Sequence, residues 1–285
     1  MAPCPCCSRF HAKFIHGLIG WFPEEKVIRI IGSTCFKNLD EAVEKQAHVN
    51  LRRRQAERSD RQTIRFYEEG LDALISTVEA CLPQFEEIDD LQHDIVENLL
   101  AIGLPLDRHI RAGELWVTDP EIGKAPDGKG TRRLLAVVKG HEIITMKPPE
   151  MTDETRRISR NLRRRLEAVR YMQRKIEGKA INDLDDETRK HIAENLPKVR
   201  EMIARTFEGY RRRQAFVSSD TFAKLKEWSR HPGAPVSFDI YRENRWLSFE
   251  TPNGGRTTLT IKRKVETPIP DLPAIAAKAD TRESA

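Results

Sequence analysis

Apolar residues recur at helical spacing through most of this chain. The first stripe predicts a helix from Leu39 past Arg54, with a narrow apolar face on a highly charged rod. Two more stripes, over residues 64–82 and 85–102, predict two further helices that are separated at Pro83, because proline removes a helical hydrogen bond. Stripes of this kind are typical of helix faces that pack into a hydrophobic core.

The period of the pattern changes between residues 113 and 147. Residues 114–117 predict a short strand, residues 126–130 a turn, and residues 132–145 one longer strand or two. Two consecutive prolines then end this unit, and we place a domain boundary there. A β-hairpin is therefore expected near residues 113–147.

The second half of the chain returns to helical stripes and finishes with strands. A basic helix is predicted over residues 152–176 and a short one over 219–228. Helical patterns also cover residues 185–214, where Pro197 would be a first-turn residue if a new helix starts at Leu196. The last predicted unit is an antiparallel meander, whose strands span residues 236–241, 246–251 and 257–264.

These elements predict an α+β protein that is predominantly helical. We divide it into a zinc-knuckle module that leads into a helix (1–48), an acidic helical region with the hairpin (49–148), a basic helical region with the meander (149–265) and a disordered tail (266–285). The tail is rich in proline and alanine with mixed charge, a composition that buries too little apolar surface to fold.

Four of the five cysteines lie in the first 35 residues. Cys4 and Cys7 have the C-x2-C spacing that lets two thiolates on one tight turn share a metal ion. Cys35 adds a third ligand where an extended run gives way to a helical pattern. This order of knuckle, β-run, cysteine and helix resembles a treble-clef zinc module, which implies a structural Zn²⁺ over about residues 4–48.

The fourth zinc ligand does not follow the treble-clef pattern. Such a module carries cysteine or histidine three or four positions after the third ligand, where this chain has Asn38 and Leu39. A tetrahedral structural Zn²⁺ needs four nitrogen or sulfur ligands, so the fourth must come from elsewhere. We favour His11, with Cys6 as the alternative, because the side chains of the adjacent Cys6 and Cys7 diverge from each other. The full set of candidates is Cys6, His11, His16 and His48.

Two other interpretations of the N-terminal segment compete with zinc. The cysteines would anchor the apolar segment 10–22 to a membrane if they were acylated, or they are ordinary reduced thiols. That segment is short and contains two glycines, and the run 26–31 predicts a strand that would cover it. We therefore expect no association with a membrane.

Composition narrows the class of protein. Charged residues make up 33% of the chain and hydrophobic residues 39%, which favours a soluble protein with small cores. No apolar run approaches the length of a membrane span, and the N-terminus lacks the apolar region of a secretory signal. Because the cysteines are clustered, we expect a reducing, cytoplasmic location. Cys81 lies on an apolar stripe and is predicted to be buried.

The net charge of +5 conceals a segregation of charge along the chain. Charged residues are almost all acidic from residue 66 to residue 100, and mostly basic from residue 156 to residue 175. Both segments also carry an apolar stripe. We expect the two to pack against each other, with the stripes supplying most of the energy because surface ion pairs contribute little.

Clustered arginines predict binding to the phosphates of nucleic acid, without readout of base edges. We assign this site to two of the three arginine triplets, Arg163, Arg164, Arg165, Arg211, Arg212 and Arg213, the remaining triplet being residues 52–54. Three consecutive arginines spread around most of a helix, and the acidic helices would neutralise some of them. The alternative is therefore a protein–protein scaffold or regulatory adaptor without nucleic acid.

No catalytic constellation stands out in the sequence. Asp119, Glu121 and Lys139 follow the order of a metal-dependent nuclease, but their spacing is loose. We interpret the pair His141 and Glu142 as solvated surface residues, since neighbours in sequence point away from each other. The sequence thus favours a binding protein with structural zinc over an enzyme, and a metal-dependent hydrolase is the third hypothesis.

Overall fold

Two β-hairpins and two long helices form the first part of this computed structural model, which describes residues 2–4, 8–14, 16–22, 26–33, 35, 41–119, 131–145, 157–217 and 219–274. The hairpins pair β1 with β2 and β3 with β4; these are Ala2–Cys4, Ser8–Phe14, Gly17–Phe22 and Val27–Gly32. The helices are α1 (Glu41–Glu68) and α2 (Leu71–Ala101). The strand expected over residues 26–31 is thus confirmed as β4.

A third hairpin, five helices and a meander follow in the described chain. The hairpin pairs β5 (Glu114–Asp119) with β6 (Thr131–Val137). The helices are α3 (Glu142–Thr145), α4 (Ile158–Ile176), α5 (Asp186–Gln214) and α6 (Ser219–Arg230). The meander has strands β7 (Asp239–Glu243), β8 (Trp246–Glu250) and β9 (Arg256–Thr260), followed by the short α7 (Arg263–Glu266). The predicted α+β class and the C-terminal three-stranded meander are confirmed.

The long helices pack in a chain of neighbours, α2 on α4, α4 on α5 and α5 on α1. The face of α4 that carries Leu162, Leu166 and Val169 is completely buried. The ring of Phe85 on α2 lies 5.2 Å from that of Phe207 and 4.7 Å from that of Tyr210, both on α5. One hydrophobic core therefore joins the first helical pair to the second and continues under the meander.

The predicted packing of the acidic segment on the basic helix is confirmed. Glu79 and Glu86 of α2 form ion pairs with Arg170 and Arg163 of α4. Cys81, on the same helix as the two glutamates, is buried as expected. The apolar stripes meet in the core while the ion pairs lie at its exposed edge.

The predicted helix break at Pro83 is wrong, and no new helix starts at Leu196. Pro83 lies inside α2 and Pro197 inside α5, and the chain instead breaks before Gly70, whose amide donates to the carbonyl of Tyr67 at 3.1 Å. Pro83 is exposed, so water can reach the carbonyl of Glu79 that loses its helical donor. Continuous burial on the opposite face holds the helix together through the proline.

The strand expected over residues 132–145 is wrong in its second half. The strand β6 ends at Val137, and a turn at Gly140 (φ +71°) leads into the short helix α3. A side chain at Gly140 would collide with the backbone of Phe216, so only glycine fits this close approach. The turn places Glu142 against α5 rather than on a strand.

The segment that follows α7 lies along the helices as far as Ala274. The carbonyl of Thr267 accepts hydrogen bonds from Gln84 at 3.3 Å and Gln214 at 2.9 Å, and Ile269 is buried. The sequence prediction placed the start of a disordered tail at residue 266, whereas residues 267–274 are anchored to the body. Residues 275–285 lie outside the described part of the chain.

Candidate functional site

The backbone around the predicted zinc ligands is only partly described. Strands β1 and β2 pair so that Cys4 faces Ser8, and β1 contacts β4. Cys35 is half-buried between the end of β4 and the start of α1. Cys6 and Cys7 lie outside the described residues, as do the side chains of Cys4 and His11. Within the described residues, no three metal-ligating side chains cluster, so the zinc site stays a prediction.

The arginine triplet 163–165 is divided among three environments. Arg163 pairs with Glu86 on α2, and Arg164 projects from the exposed side of α4. Arg165 turns towards α5, where it donates to the carbonyl of Met202 at 2.7 Å and to the hydroxyl of Thr206. Its burial lowers the pKa of the guanidinium. The sequence-predicted triplet is thus not one surface.

The arginine triplet 211–213 is divided in the same way. Arg211 donates to Asp271 at 2.6 Å and so fastens the C-terminal segment. The Nε of Arg212 lies 3.6 Å from Glu142, while 65% of its side chain stays exposed. Arg213 is largely enclosed, and its Nε and Nη1 are buried without a hydrogen-bond acceptor in the described residues.

Arg213 belongs to a buried polar centre at the start of α4. The carboxylate of Asp89, on α2, accepts hydrogen bonds from the backbone amides of Ile158 at 3.2 Å and Ser159 at 2.9 Å. Burial raises the pKa of Asp89, and the hydrogen bonds and the charge of Arg213 offset part of that rise. Burial likewise lowers the pKa of Arg213, which Asp89 and Glu142 oppose. The role of Arg213 here is first to balance a buried carboxylate.

An open cleft of about 250 Å³, the arginine cleft, lies between α4 and α5 beside this centre. Its lining consists of Glu142, Ile158, Asn161, Arg165, Arg205, Thr206, Gly209, Arg212 and Arg213. Four of these residues are arginines, and among the described residues that line the cleft Glu142 is the one carboxylate. The arginine cleft therefore joins members of both predicted triplets to Arg205, which the sequence prediction omitted.

A glycine keeps the middle of this cleft wide. Gly209 lies in the last quarter of α5, where glycine costs roughly 0.5–1 kcal/mol of helix stability relative to alanine. A Cβ placed there would find its nearest neighbour in the described chain, Nη2 of Arg212, at 4.0 Å. Close packing of other elements does not require glycine here, so its effect is to leave space beside the arginines.

A second cleft, of about 400 Å³, lies on the other side of Glu142 and Arg212. We call it the apolar cleft, since most of its exposed lining is carbon. It is lined by Ala112, Val138, Lys139, Gly140, His141, Glu142, Arg211, Arg212 and Ala215. His141 Nδ1 lies 3.8 Å from Glu142 Oε2, an atom that is buried. The two side chains are partly exposed, at 23% and 35%, and lie close to each other, so their interpretation as solvated surface residues that point apart is only partly right.

The nuclease-like residues do not converge. Asp119 pairs with Thr131 at one end of the third hairpin, whereas Lys139 follows Val137, which pairs with Glu114 at the other end. Five residues of strand separate the ends, roughly 17 Å at 3.3–3.4 Å per residue. Glu121 lies outside the described residues.

Sequence reasoning missed Asp89, Arg205 and Gly209, and it took Glu142 for a solvated surface residue. Two of them did leave a detectable pattern. Asp89 occupies a helical-stripe position next to Ile88, and a carboxylate on an apolar face signals a buried partner. Gly209 interrupts an otherwise strong helical pattern. The other two are charged residues among many, and nothing in their spacing marks them.

The described helices are each too short or too polar to span a lipid bilayer. Compared with known protein families, with curated proteins and with solved structures, the chain shows no significant match to any of them.

Proposed function

We propose that this protein binds nucleic acid through phosphate groups, and that the arginine cleft is the principal contact. The observation that carries the proposal is the convergence of Arg165, Arg205, Arg212 and Arg213 on one open cleft in which Glu142 is the one described carboxylate. Guanidinium groups present forked donors that match the paired oxygens of phosphate and carboxylate, so such a cluster favours oxyanions of this kind.

Two features of the lining support phosphate in particular. Asn161 adds an amide, a group that commonly contacts phosphate oxygens, whereas the hydroxyl of Thr206 already donates to the carbonyl of Met202 at 2.8 Å. Arg205 and Arg212 keep 73% and 65% of their side chains exposed, and are therefore accessible to a large ligand. The ion pairs of Arg163 and Arg170 with α2 remove those arginines from the proposed contact.

Binding of this kind should be weak and independent of sequence. We expect dissociation constants on the order of 10⁻⁴–10⁻⁶ M at physiological salt, rising steeply with salt concentration because bound phosphates release counterions. Fluorescence anisotropy with unrelated duplexes and single strands at 50 and 200 mM salt measures both properties.

A matched pair of double variants identifies the surface. Arg205→Ala with Arg212→Ala should weaken binding to every oligonucleotide and reduce the salt slope by about two, roughly one for each lost phosphate contact. The control, Arg174→Ala with Lys198→Ala, removes the same charge from exposed positions on the same two helices. Equal loss in both variants would mean that net charge, and not the cleft, causes binding.

A scaffold or adaptor is the second candidate function, and a different observation favours it. One face of the β3–β4 hairpin carries the cross-strand pairs Ile19–Ile30 and Trp21–Ile28, with 75%, 46%, 58% and 67% of those side chains exposed. Exposed apolar clusters of this kind are typical of protein contacts. The absence of binding to any oligonucleotide at 50 mM salt would favour this candidate.

We also propose that the N-terminal module holds one structural Zn²⁺ through Cys4, Cys7, Cys35 and His11, with Cys6 as the alternative fourth ligand. The pairing of Cys4 with Ser8 and the contact of β1 with β4 support this placement. Elemental analysis of protein purified without chelator should find one zinc per chain. Cys7→Ser should lower the zinc content, and full retention of zinc would refute that ligand assignment.

A further inference from the structure

The arginine cleft and the apolar cleft are neighbours that share Glu142 and Arg212. Their volumes, about 250 and 400 Å³, together fall within the roughly 300–1,000 Å³ of sites that enclose a small organic molecule. One side of the shared pair is rich in guanidinium groups, and the other is mostly carbon. A ligand that fills both must be anionic at one end and flat or apolar at the other.

We infer that the paired clefts bind a single unpaired nucleotide that carries a terminal phosphate, with the phosphate in the arginine cleft and the nucleoside in the apolar cleft. This inference rests on the proposed function and narrows its ligand from any phosphodiester backbone to a strand end. A terminal phosphomonoester carries a charge of about −1.5 to −2 at pH 7 and three acceptor oxygens. An internal phosphodiester offers one charge and two such oxygens.

The charges of the lining favour the terminal group. Once Arg205 leaves Glu201, the four arginines face two carboxylates, Glu142 in the lining and Asp89 beside Arg213. The remaining surplus of positive charge is balanced better by a dianion than by a monoanion. Arg205, whose partner Glu201 lies one turn away on the exposed face of α5, can exchange that surface pair for the phosphate at little cost.

Glu142 sets the orientation of the ligand. Its carboxylate lines both clefts, and on the apolar side it offsets the charge of Arg212, while Arg211 there already donates to Asp271. The walls of the apolar cleft include Ala112, Val138 and Ala215, which suit the face of a base or a sugar. A base can enter only when it is unpaired, so a single strand is required rather than a blunt duplex end.

Gly209 supplies an independent test, because it provides space in the arginine cleft without carrying charge. Replacing it by leucine should fill the space beside Arg212 and exclude a phosphate while all four arginines remain. Gln55→Leu serves as the control, since it adds the same side chain at an exposed position of α1 that is remote from both clefts. Thermal unfolding confirms that each variant is folded.

The experiment measures anisotropy of one labelled single strand with a 5′-phosphate, a 3′-phosphate or hydroxyls at both ends. We expect one of the phosphorylated strands to bind the wild-type chain about tenfold more tightly than the hydroxyl strand, the contribution of one charge-assisted hydrogen bond. Gly209→Leu should lose that preference and Gln55→Leu should keep it. A phosphorylated strand with an abasic terminal position should also lose affinity, since the apolar cleft would be empty.

Failure of this inference is distinguishable from failure of the proposed function. If the three strands bind equally and binding still depends on Arg205 and Arg212, the terminal-phosphate inference is overturned while phosphate binding stands. An abasic end that binds as tightly as a complete nucleotide overturns the assignment of the apolar cleft. If no strand binds at 50 mM salt, both proposals fall.

Discussion

Both sides of α4 carry arginines, but the partners of those arginines differ between the two sides. On the side that faces α2, Arg163 and Arg170 are paired with glutamates above a continuous apolar stripe. On the side that faces α5, Arg165 joins three further arginines around an open cleft whose described lining contains one carboxylate. The first side therefore stabilises the fold, whereas the second retains charge that an external anion can use.

This contrast shows why clustered arginines are a weak guide to a binding surface. Arg163 and Arg165 are two positions apart, and successive helical residues are rotated by about 100°, so they face different neighbours. Whether an arginine stays available depends on the helix that packs against it. The buried polar centre of Asp89 and Arg213 lies beside both sides of α4. We expect substitutions there to cause the largest loss of folding stability.

Replacing Asp89 by alanine should destabilise the protein by about 3–5 kcal/mol. The change leaves two backbone amides of α4 without their acceptor and leaves the buried charge of Arg213 less balanced. Urea unfolding followed by circular dichroism measures the loss. A loss of unfolding free energy below about 1 kcal/mol would mean that the Asp89–Arg213 centre contributes little to the packing of α4.

Replacing Leu166 by alanine should cost about 2–5 kcal/mol, because its side chain is buried in the apolar stripe. The same unfolding experiment applies, with Arg164→Ala, an exposed position of the same helix, as the control that should change little. Comparable losses in the two variants would contradict the view that the stripe supplies most of the energy.

The contribution of Asp89 to stability should fall as the pH rises. Its folded pKa is raised above the unfolded value of about 3.9, so the folded state binds the proton more tightly. The corresponding stabilisation is fully present below the unfolded pKa and is lost as the pH rises through the folded pKa. The unfolding free energy of the wild type minus that of Asp89→Asn should therefore decrease from pH 3 to pH 7. If this free-energy difference increases with pH, the folded pKa of Asp89 is lowered rather than raised.

On the cleft side, Gly209→Ala should stabilise the protein by roughly 0.5–1 kcal/mol. Alanine is the better helix former, and its methyl group meets only the end of Arg212 within 4 Å in the described chain. Thermal unfolding would detect the rise. A loss of stability would indicate that the cleft closes on this position in solution.

The smallest effect is expected for the pair Arg163 and Glu86. Both side chains are substantially exposed, at 61% and 39%, and surface ion pairs of this kind contribute about 0–1 kcal/mol. A double-mutant cycle with alanine at each position measures the coupling directly. A coupling above about 2 kcal/mol would mean that the ion pairs, and not mainly the apolar stripe, stabilise this side of α4.

Several structural features follow from the sequence alone. The helical stripes, the C-terminal three-stranded meander and the acidic-on-basic packing are all confirmed. These features depend on local periodicity, on turn chemistry and on the average charge of a segment, which neighbouring residues in the sequence encode. The zinc ligands stay a prediction, as do the domain limits.

Other features were decided only by tertiary packing. Buried residues both before and after Pro83 and Pro197 keep α2 and α5 packed in the core, which overrides the local preference of proline to break a helix. The close approach of Phe216 to Gly140 ends β6 and brings Glu142 to α5. The arginine cleft combines residues 142, 165, 205 and 213, whose proximity depends on how α3, α4 and α5 pack. No local pattern specifies such a set, because each member is fixed by a different long-range contact.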